Sequence, residues 1–304
     1  MSGSNELGDY LRARRGLVRP QDAGLPPTGR RRVPGLRREE VALLAGISAE
    51  YYLRLEQGRD QHPSPQVLDA LARVLMLDAD ATGYLHSLAQ PRRRRAPARR
   101  PERLAEGIRR LVMAMPTPAF VQGRYLDVLA ANPLATALSP HYVKGDNLLR
   151  SALLDPAVRA MYQEGEWERT VAGTVASLRA LAGPETNDAR LTELVGELSV
   201  RSEEFRRLWA RHDVKPRTSG TSRLLHPQVG PLELDYEKLA VTGADGQLLV
   251  VYHAAPGSAA EQGLQLLGHL VPFAASQGSP ATSASPAAPA SPPISSEKAL
   301  PRDG

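Results

Sequence analysis

Apolar residues recur at helical spacing throughout residues 5–89 and predict a domain built from short helices. The clearest stripe lies within residues 67–75, where Val and Leu fall on one face of an amphipathic helix. Ser64 followed by Pro65 predicts the start of this helix, because serine can cap it and proline at the first position loses no needed N–H. The pattern therefore predicts an all-α domain of five helices within residues 1–90.

The pattern changes in residues 104–270, where alternating and helical stretches are mixed. Residues 119–131 predict two strands joined by a Gln-Gly turn, and residues 232–252 predict a second hairpin around an Asp-Gly turn. Four candidate helices lie between the hairpins, at residues 155–163, 167–181, 188–198 and 202–212. Helices inserted within an antiparallel sheet predict an α+β domain, so the chain is expected to be multidomain.

Two stretches of biased composition flank this second domain. Residues 91–103 are rich in Arg and Pro and predict an extended, self-repelling linker. Residues 271–304 are dominated by Ser, Pro and Ala, with few large apolar side chains, and predict a disordered tail. Residues 17–34 predict a loop, and the basic triplet at 30–32 is either a phosphate contact or a solvated tract.

Charge and residue usage narrow the classes of function. The first 100 residues carry 18 Arg and 11 acidic residues, whereas the remainder carries 20 basic and 22 acidic residues, so the positive excess is N-terminal. Such an excess favours a polyanion partner such as DNA. The chain has no cysteine, and its seven histidines lack metal-ligand spacing, so neither a bound metal nor a cofactor is expected. No export signal or bilayer-spanning apolar run is found, which predicts a cytoplasmic protein without membrane insertion.

Residues 38–57 have the pattern of a helix-turn-helix. This unit needs a small residue where its helices cross and a residue tolerant of positive φ in its turn, and Ala42 and Gly46 meet these needs. Ser48 can cap the second helix, whose first turn would then present backbone N–H groups to phosphates. The residues predicted to face inward are Val41, Ala45, Ile47, Tyr52 and Leu55. Those predicted to face outward are Ala49, Glu50, Leu53, Arg54 and Gln57.

The outward face of this second helix is the predicted DNA-reading surface. Arg54 suits guanine O6/N7 or a phosphate, and Glu50 can accept from cytosine N4. Tyr51 is expected at a phosphate or a thymine methyl group. The predicted DNA-binding residues are Arg37, Arg38, Ser48, Ala49, Glu50, Tyr51 and Arg54. An ordinary core-packing helical hairpin is the alternative, but it does not explain the basic excess.

The chain resembles a known family over residues 5–268. The stretch GLRREEVALLAGISAEYYLRLEQGRDQHPSPQVLDALARVL is similar to the Cro/CI-type (XRE) helix-turn-helix, closely so to that of MmyB-like regulators. The blocks NPLATAL, GDNLLR, EWERTVAGTVASLRALAG, SEEFRRLWARHDV and GQLLVVYHAAPGS resemble the MmyB-like ligand-binding domain. The resemblance implies a DNA-binding regulator whose PAS-like C-terminal domain encloses an apolar pocket for a fatty-acid-like ligand. It also implies that Glu56 is a structural acid paired with Arg15.

Candidate ligand contacts are drawn from rare or polar side chains of the second domain, and core packing is the alternative for the aromatic ones. The predicted ligand-binding residues are Trp167, Phe205, Trp209 and His226. His212, Arg150 and Arg179 are further candidates for holding a carboxylate, or else are structural or surface residues.

Three functions are compatible with these features. A ligand-responsive regulator that binds double-stranded DNA as a homodimer is the main prediction. A protein-partner module and a lipid-acting enzyme are the alternatives. The chain carries no GxSxG elbow or phosphate-cradling glycine loop, so no enzyme is expected.

Overall fold

A computed structural model describes residues 5–26, 33–90, 102–183, 188–244 and 246–271. The predicted basic triplet at 30–32 lies outside these residues, as do nearly all of the predicted linker (91–103) and tail (271–304). The described residues belong to one compact unit, Met1–Val271. None of the helices in the described ranges combines the length and apolar character that crossing a bilayer requires.

The N-terminal domain contains five helices within the described residues up to Gln90, as predicted. They are α1 (Glu6–Leu17), α2 (Arg38–Ala45), α3 (Ala49–Glu56), α4 (Pro65–Val74) and α5 (Ala79–Ala89). Ser64 caps α4 by accepting from the backbone N–H of Val67, and Pro65 occupies its first turn, which confirms the predicted start. The domain packs around a core that includes Tyr10, Leu11, Leu36, Val41, Tyr52, Leu55, Leu71 and Leu85.

The second domain is built on one antiparallel sheet of five strands in the order β2-β1-β5-β4-β3. The strands are β1 (Ala119–Gln122), β2 (Val128–Ala131), β3 (Ser219–His226), β4 (Gly230–Ala240) and β5 (Leu248–His253). The two predicted hairpins join because β1 pairs with β5, with Phe120 opposite Val250. The helices therefore lie within one α+β domain, as expected for a PAS-like fold.

Eight helices of this domain lie in the described residues. They are α6 (Glu106–Ala114), α7 (Pro133–Leu138), α8 (Leu148–Leu154), α9 (Pro156–Ala160), α10 (Glu166–Ala182), α11 (Ala189–Arg201), α12 (Glu203–Trp209) and α13 (Ala259–Leu270). Val112 of α6 packs on one face of the sheet against Ala119, Val121 and Leu249. The opposite face carries Phe120 and Tyr252, because neighbouring residues of a strand point to opposite sides.

The sequence prediction of this domain needs three corrections. The predicted Gln-Gly turn is wrong: Gln122 ends β1 and pairs with Leu248, so the turn starts one residue later and continues to Asp127. β3 was not predicted, since its buried positions include the polar residues Ser222 and His226 and so hide the alternation. The helices α6, α7, α8 and α13 were also not predicted. The four predicted helices are present, with ends shifted by one to three residues and α9 cut short.

Candidate DNA interface and ligand cavity

The turn between α2 and α3 has the geometry that a helix-turn-helix requires. Gly46 has φ 69° and ψ 31°, in the left-handed region where an L side chain is strained. The backbone N–H of Ile47 donates to the carbonyl of Ala42 at 3.0 Å, which closes the end of α2. Ser48 then caps α3, since its hydroxyl accepts from the backbone N–H of Tyr51 at 3.1 Å. The predicted roles of these residues in the turn are confirmed.

Glu56, at the end of α3, is fully buried and fixes three helices to one another. Its carboxylate accepts from Arg15 Nε of α1 at 2.6 Å and from Arg38 Nε of α2 at 2.6 Å. Burial alone would raise the pKa of Glu56, but the hydrogen bonds and charges of both arginines outweigh it and lower that pKa. The predicted pair of Glu56 and Arg15 is confirmed, and Arg38, predicted as a phosphate contact, is shared with this ion pair.

One face of α3 is buried and the other is exposed. Tyr52 and Leu55 are fully buried in the domain core, as predicted. Ser48 and Ala49 are exposed at the first turn. On the same outer face, Glu50 and Arg54 form an i,i+4 pair at 3.4 Å, with side chains that are 82% and 43% exposed. The surface predicted to read DNA is therefore accessible.

Tyr51 lies at the border between these faces. It is half-buried and packs against the domain core. The Arg54 guanidinium carbon lies 5.5 Å from the centre of the Tyr51 ring, close enough for a cation–π contact. Arg54 is thus held by Tyr51 and Glu50 before any partner is present.

A cavity lies in the second domain, against one face of the sheet. Its wall combines aromatic rings with polar side chains such as those of Ser139, Ser151 and Ser222. The aromatic rings that line it belong to Phe120, Tyr142, Tyr162, Tyr236 and Tyr252. Strands β1, β4 and β5 each contribute residues two positions apart, as expected for side chains on one face of a sheet. Helices α8 and α10 contribute Ala152, Thr170 and Thr174 to the lining.

Two cations, Arg217 and Lys238, lie in this cavity. Within the described part of the chain, no carboxylate is found within 4.0 Å of either one. Burial, and then the charge of Arg217, lowers the pKa of Lys238 to about 8. Lys238 Nζ donates to Gln122 Oε1 at 3.3 Å. Gln122 Nε2 and Tyr236 Oη are buried and lack a hydrogen-bond partner in the described residues.

None of the four predicted ligand-binding residues lines this cavity. Phe205 is fully buried and stacks on Trp209 at 5.5 Å, in a helical core separate from the sheet. Trp167 belongs to the same core and donates from its indole nitrogen to the carbonyl of Ala152 at 2.8 Å. His226 is buried with its Nε2 3.0 Å from the carbonyl of Ala137. The contacts that the structure shows for these residues are those of core packing and of a hydrogen-bonded histidine.

The other candidate carboxylate anchors also lie elsewhere. Arg150 pairs with Glu197 at 2.6 Å. Arg179 and His212 contact each other away from the cavity, with Arg179 Nη1 3.3 Å from His212 Nδ1. The sequence prediction does not include Arg217 or Lys238. Lys238 continues the two-residue alternation of β4 onto the inward face, so that pattern could have identified it.

The exposed face of α3 and the cavity of the second domain define the class of protein. It is a helix-turn-helix protein with a second domain that has a cavity for a small molecule. Comparison with known families agrees: residues 6–85 match a helix-turn-helix domain, and residues 104–267 match the MmyB-like transcription regulator ligand binding domain. The second match covers more than half of the chain, so the chain belongs to the MmyB-like transcription regulators. It is a ligand-sensing transcription regulator, and both matched families are regulator domains rather than enzymes. A search of curated proteins finds no match.

Proposed function

We propose that this regulator binds specific sequences of duplex DNA with α3 in the major groove. The observation that carries the proposal is the two-sided burial of α3, which buries Tyr52 and Leu55 but exposes Ala49, Glu50 and Arg54. A capped helix start also presents backbone N–H groups and the positive end of the helix dipole to a phosphate. We place the protein in the cytoplasm, where such DNA would be available.

Each exposed residue has a proposed role that follows from its chemistry. Arg54 contacts guanine O6/N7 or a phosphate, and Glu50 accepts from cytosine N4. Tyr51 contacts a phosphate or a thymine methyl group. Arg37 and Arg38 contact phosphates, with Arg38 keeping its bond to Glu56. Ser48 and Ala49 lie where the backbone comes closest to the DNA.

The proposal is tested by selecting bound duplexes from a random pool with the wild type and with Arg54→Ala. If Arg54 reads a base, the variant loses preference at one base step, at a cost of about 1–3 kcal/mol, and retains general affinity. Arg73→Ala, which removes an exposed arginine from α4, is the matched control and should keep the preference. Failure of the wild type to select any sequence would contradict the proposal.

We also propose that the protein acts as a homodimer. Two copies of α3 would read successive turns of the major groove, about 34 Å apart. The selected duplexes should then contain two related half-sites separated by about one helical turn, and sedimentation should give one dimer per duplex. A single half-site bound by one chain would contradict this.

The ligand is proposed to be a fatty-acid-like molecule whose carboxylate lies between Arg217 and Lys238. The support is chemical: Arg217 and Lys238 have no carboxylate within 4.0 Å in the described residues, and one bound anion would offset part of their combined charge. Gln122 Nε2 and Tyr236 Oη, which lack partners there, offer two further donors. The aromatic rings in the wall suit the apolar body of such a ligand.

Calorimetry with laurate and with dodecanol tests this ligand class. Laurate should bind more tightly than dodecanol, and Lys238→Met should weaken laurate by about tenfold or more, as expected for the loss of a charged hydrogen bond. Lys144→Met, at an exposed lysine, is the matched control. Equal binding of laurate and dodecanol would contradict an acid head group.

A further inference from the structure

The DNA-binding domain takes part of its hydrophobic core from the ligand-binding domain. Val214 follows α12 and is buried in the same cluster as Tyr10 of α1 and Tyr84 of α5. Ala180 of α10 packs against this cluster as well. The two domains are therefore joined by buried apolar contacts as well as by the covalent chain.

Polar contacts surround Val214 at this junction. Arg14 Nη1 of α1 lies 2.5 Å from Asp213 Oδ1, with both side chains at least two-thirds buried. The ring of His212 meets that of Tyr10 edge-on, with centres 6.2 Å apart. His212 has φ 53°, in the left-handed region that residues other than glycine seldom adopt. The docked arrangement thus combines favourable contacts with a seldom-adopted backbone conformation.

Arg179 of α10 supports the junction from the ligand-binding side. It is buried, stacks on the ring of Trp209 at 3.9 Å and donates to the carbonyl of Trp209 at 2.7 Å. Burial lowers the pKa of Arg179, and the nearby Tyr84 of α5 opposes that shift. Arg179 therefore touches elements of both domains.

α10 and the segment that follows α12 also line the ligand cavity. α10 contributes Thr170 and Thr174 to the cavity wall, about two and a half turns and one and a half turns before Arg179. Arg217 lies three residues after Val214, so the two Cα atoms are at most about 11 Å apart. Arg217 Nη1 donates to the carbonyl of Thr170 at 3.3 Å. α10 and the residues between Val214 and Arg217 therefore connect the cavity to the contacts between the two domains.

We propose that residues 209–217, which we call the coupling segment, transmit ligand binding to the DNA-binding domain. An anion that binds Arg217 displaces the C-terminal end of this segment. His212, Asp213 and Val214 then shift against α1 and α5. α1 passes the change on, because Arg15, next to Arg14, holds Glu56 at the end of α3. That the ligand is an acid rests on the proposed function. The coupling of the cavity to the DNA-binding domain through the coupling segment does not.

Amide hydrogen exchange in the full chain tests the link without requiring the natural ligand. Arg217→Gln removes the charge that an anion would neutralise and should change exchange in α1 and α5 by about fivefold or more, the size of a modest coupling. Lys238→Met is a second cavity variant, in case Arg217→Gln unfolds the domain. Lys144→Gln, at an exposed lysine, should have no effect. Unchanged exchange in α1 and α5 in both cavity variants would overturn the proposal.

A second arm measures DNA affinity with and without laurate. Laurate should change the wild-type Kd for a selected duplex by about fivefold or more, and Asp213→Asn should remove most of that change while still binding laurate. Glu203→Gln, at an exposed acid on α12, should keep it. An Asp213→Asn variant that keeps the full change would overturn the coupling segment. If laurate does not bind the wild type, the proposed ligand class fails, and the exchange arm still decides the coupling.

Discussion

Replacing Glu56 by Gln should destabilise the DNA-binding domain strongly without altering the base preference proposed for Glu50 and Arg54. The amide keeps one acceptor oxygen for Arg15 but directs N–H donors toward Arg38, so the bond to Arg38 at 2.6 Å is lost. The Arg15 side chain is 13% exposed and loses its neutralising charge, whereas Arg38, 43% exposed, can regain water. Breaking one side of a buried pair costs about 3–5 kcal/mol, and the exposure of Arg38 favours the lower end, about 3 kcal/mol.

The assay is urea unfolding followed by circular dichroism and by amide exchange in α1 and α3. Fluorescence reports poorly here, because both tryptophans lie in the second domain. Glu50→Gln is the matched control: its carboxylate is 82% exposed and its pair with Arg54 should contribute at most about 0.5 kcal/mol. Equal, small losses in the two variants would refute the account of Glu56 as a buried anchor.

The pH dependence of this effect has a definite sign. The pKa of Glu56 is lowered in the folded state, so its ionised form stabilises the fold at pH values above the unfolded pKa. That contribution is lost as the pH falls through the folded pKa. The difference in unfolding free energy between wild type and Glu56→Gln should therefore shrink below about pH 4.

Three further outcomes follow from named contacts. Gly46→Ala should cost about 1–2 kcal/mol in thermal unfolding, because φ is 69° while the added Cβ meets open space. Asn132→Ala should cost about 3 kcal/mol in urea unfolding, since the buried side chain accepts from two backbone N–H groups and donates to two carbonyls. Laurate affinity should fall by up to about tenfold per pH unit above pH 8, where the pKa of Lys238 leaves it neutral, and Lys238→Met should abolish this dependence in calorimetry.

The helix-turn-helix could be predicted from sequence because its determinants are local. The turn at Gly46 and the cap formed by Ser48 involve only residues a few positions away in the sequence, and the burial of Tyr52 follows from helical spacing. The ligand cavity depends instead on strands that meet across more than a hundred residues, as when β1 pairs with β5. Rare aromatic residues such as Phe205 indicated burial, but not which of the three apolar clusters of the second domain would contain them. Arg217 lies in an irregular segment with no period to reveal its direction.

The burial of Val214 among Tyr10 and Tyr84 bears on how this chain can be divided for experiments. A fragment that stopped at Gln90 would contain every residue proposed to touch DNA, yet one wall of its interior would face water. Such a piece would be less stable than the same helices in the intact polypeptide, and any change in its operator affinity would mix missing packing with missing regulation. Fragment studies should therefore replace the absent valine, for instance by adding residues 209–217 as a free peptide.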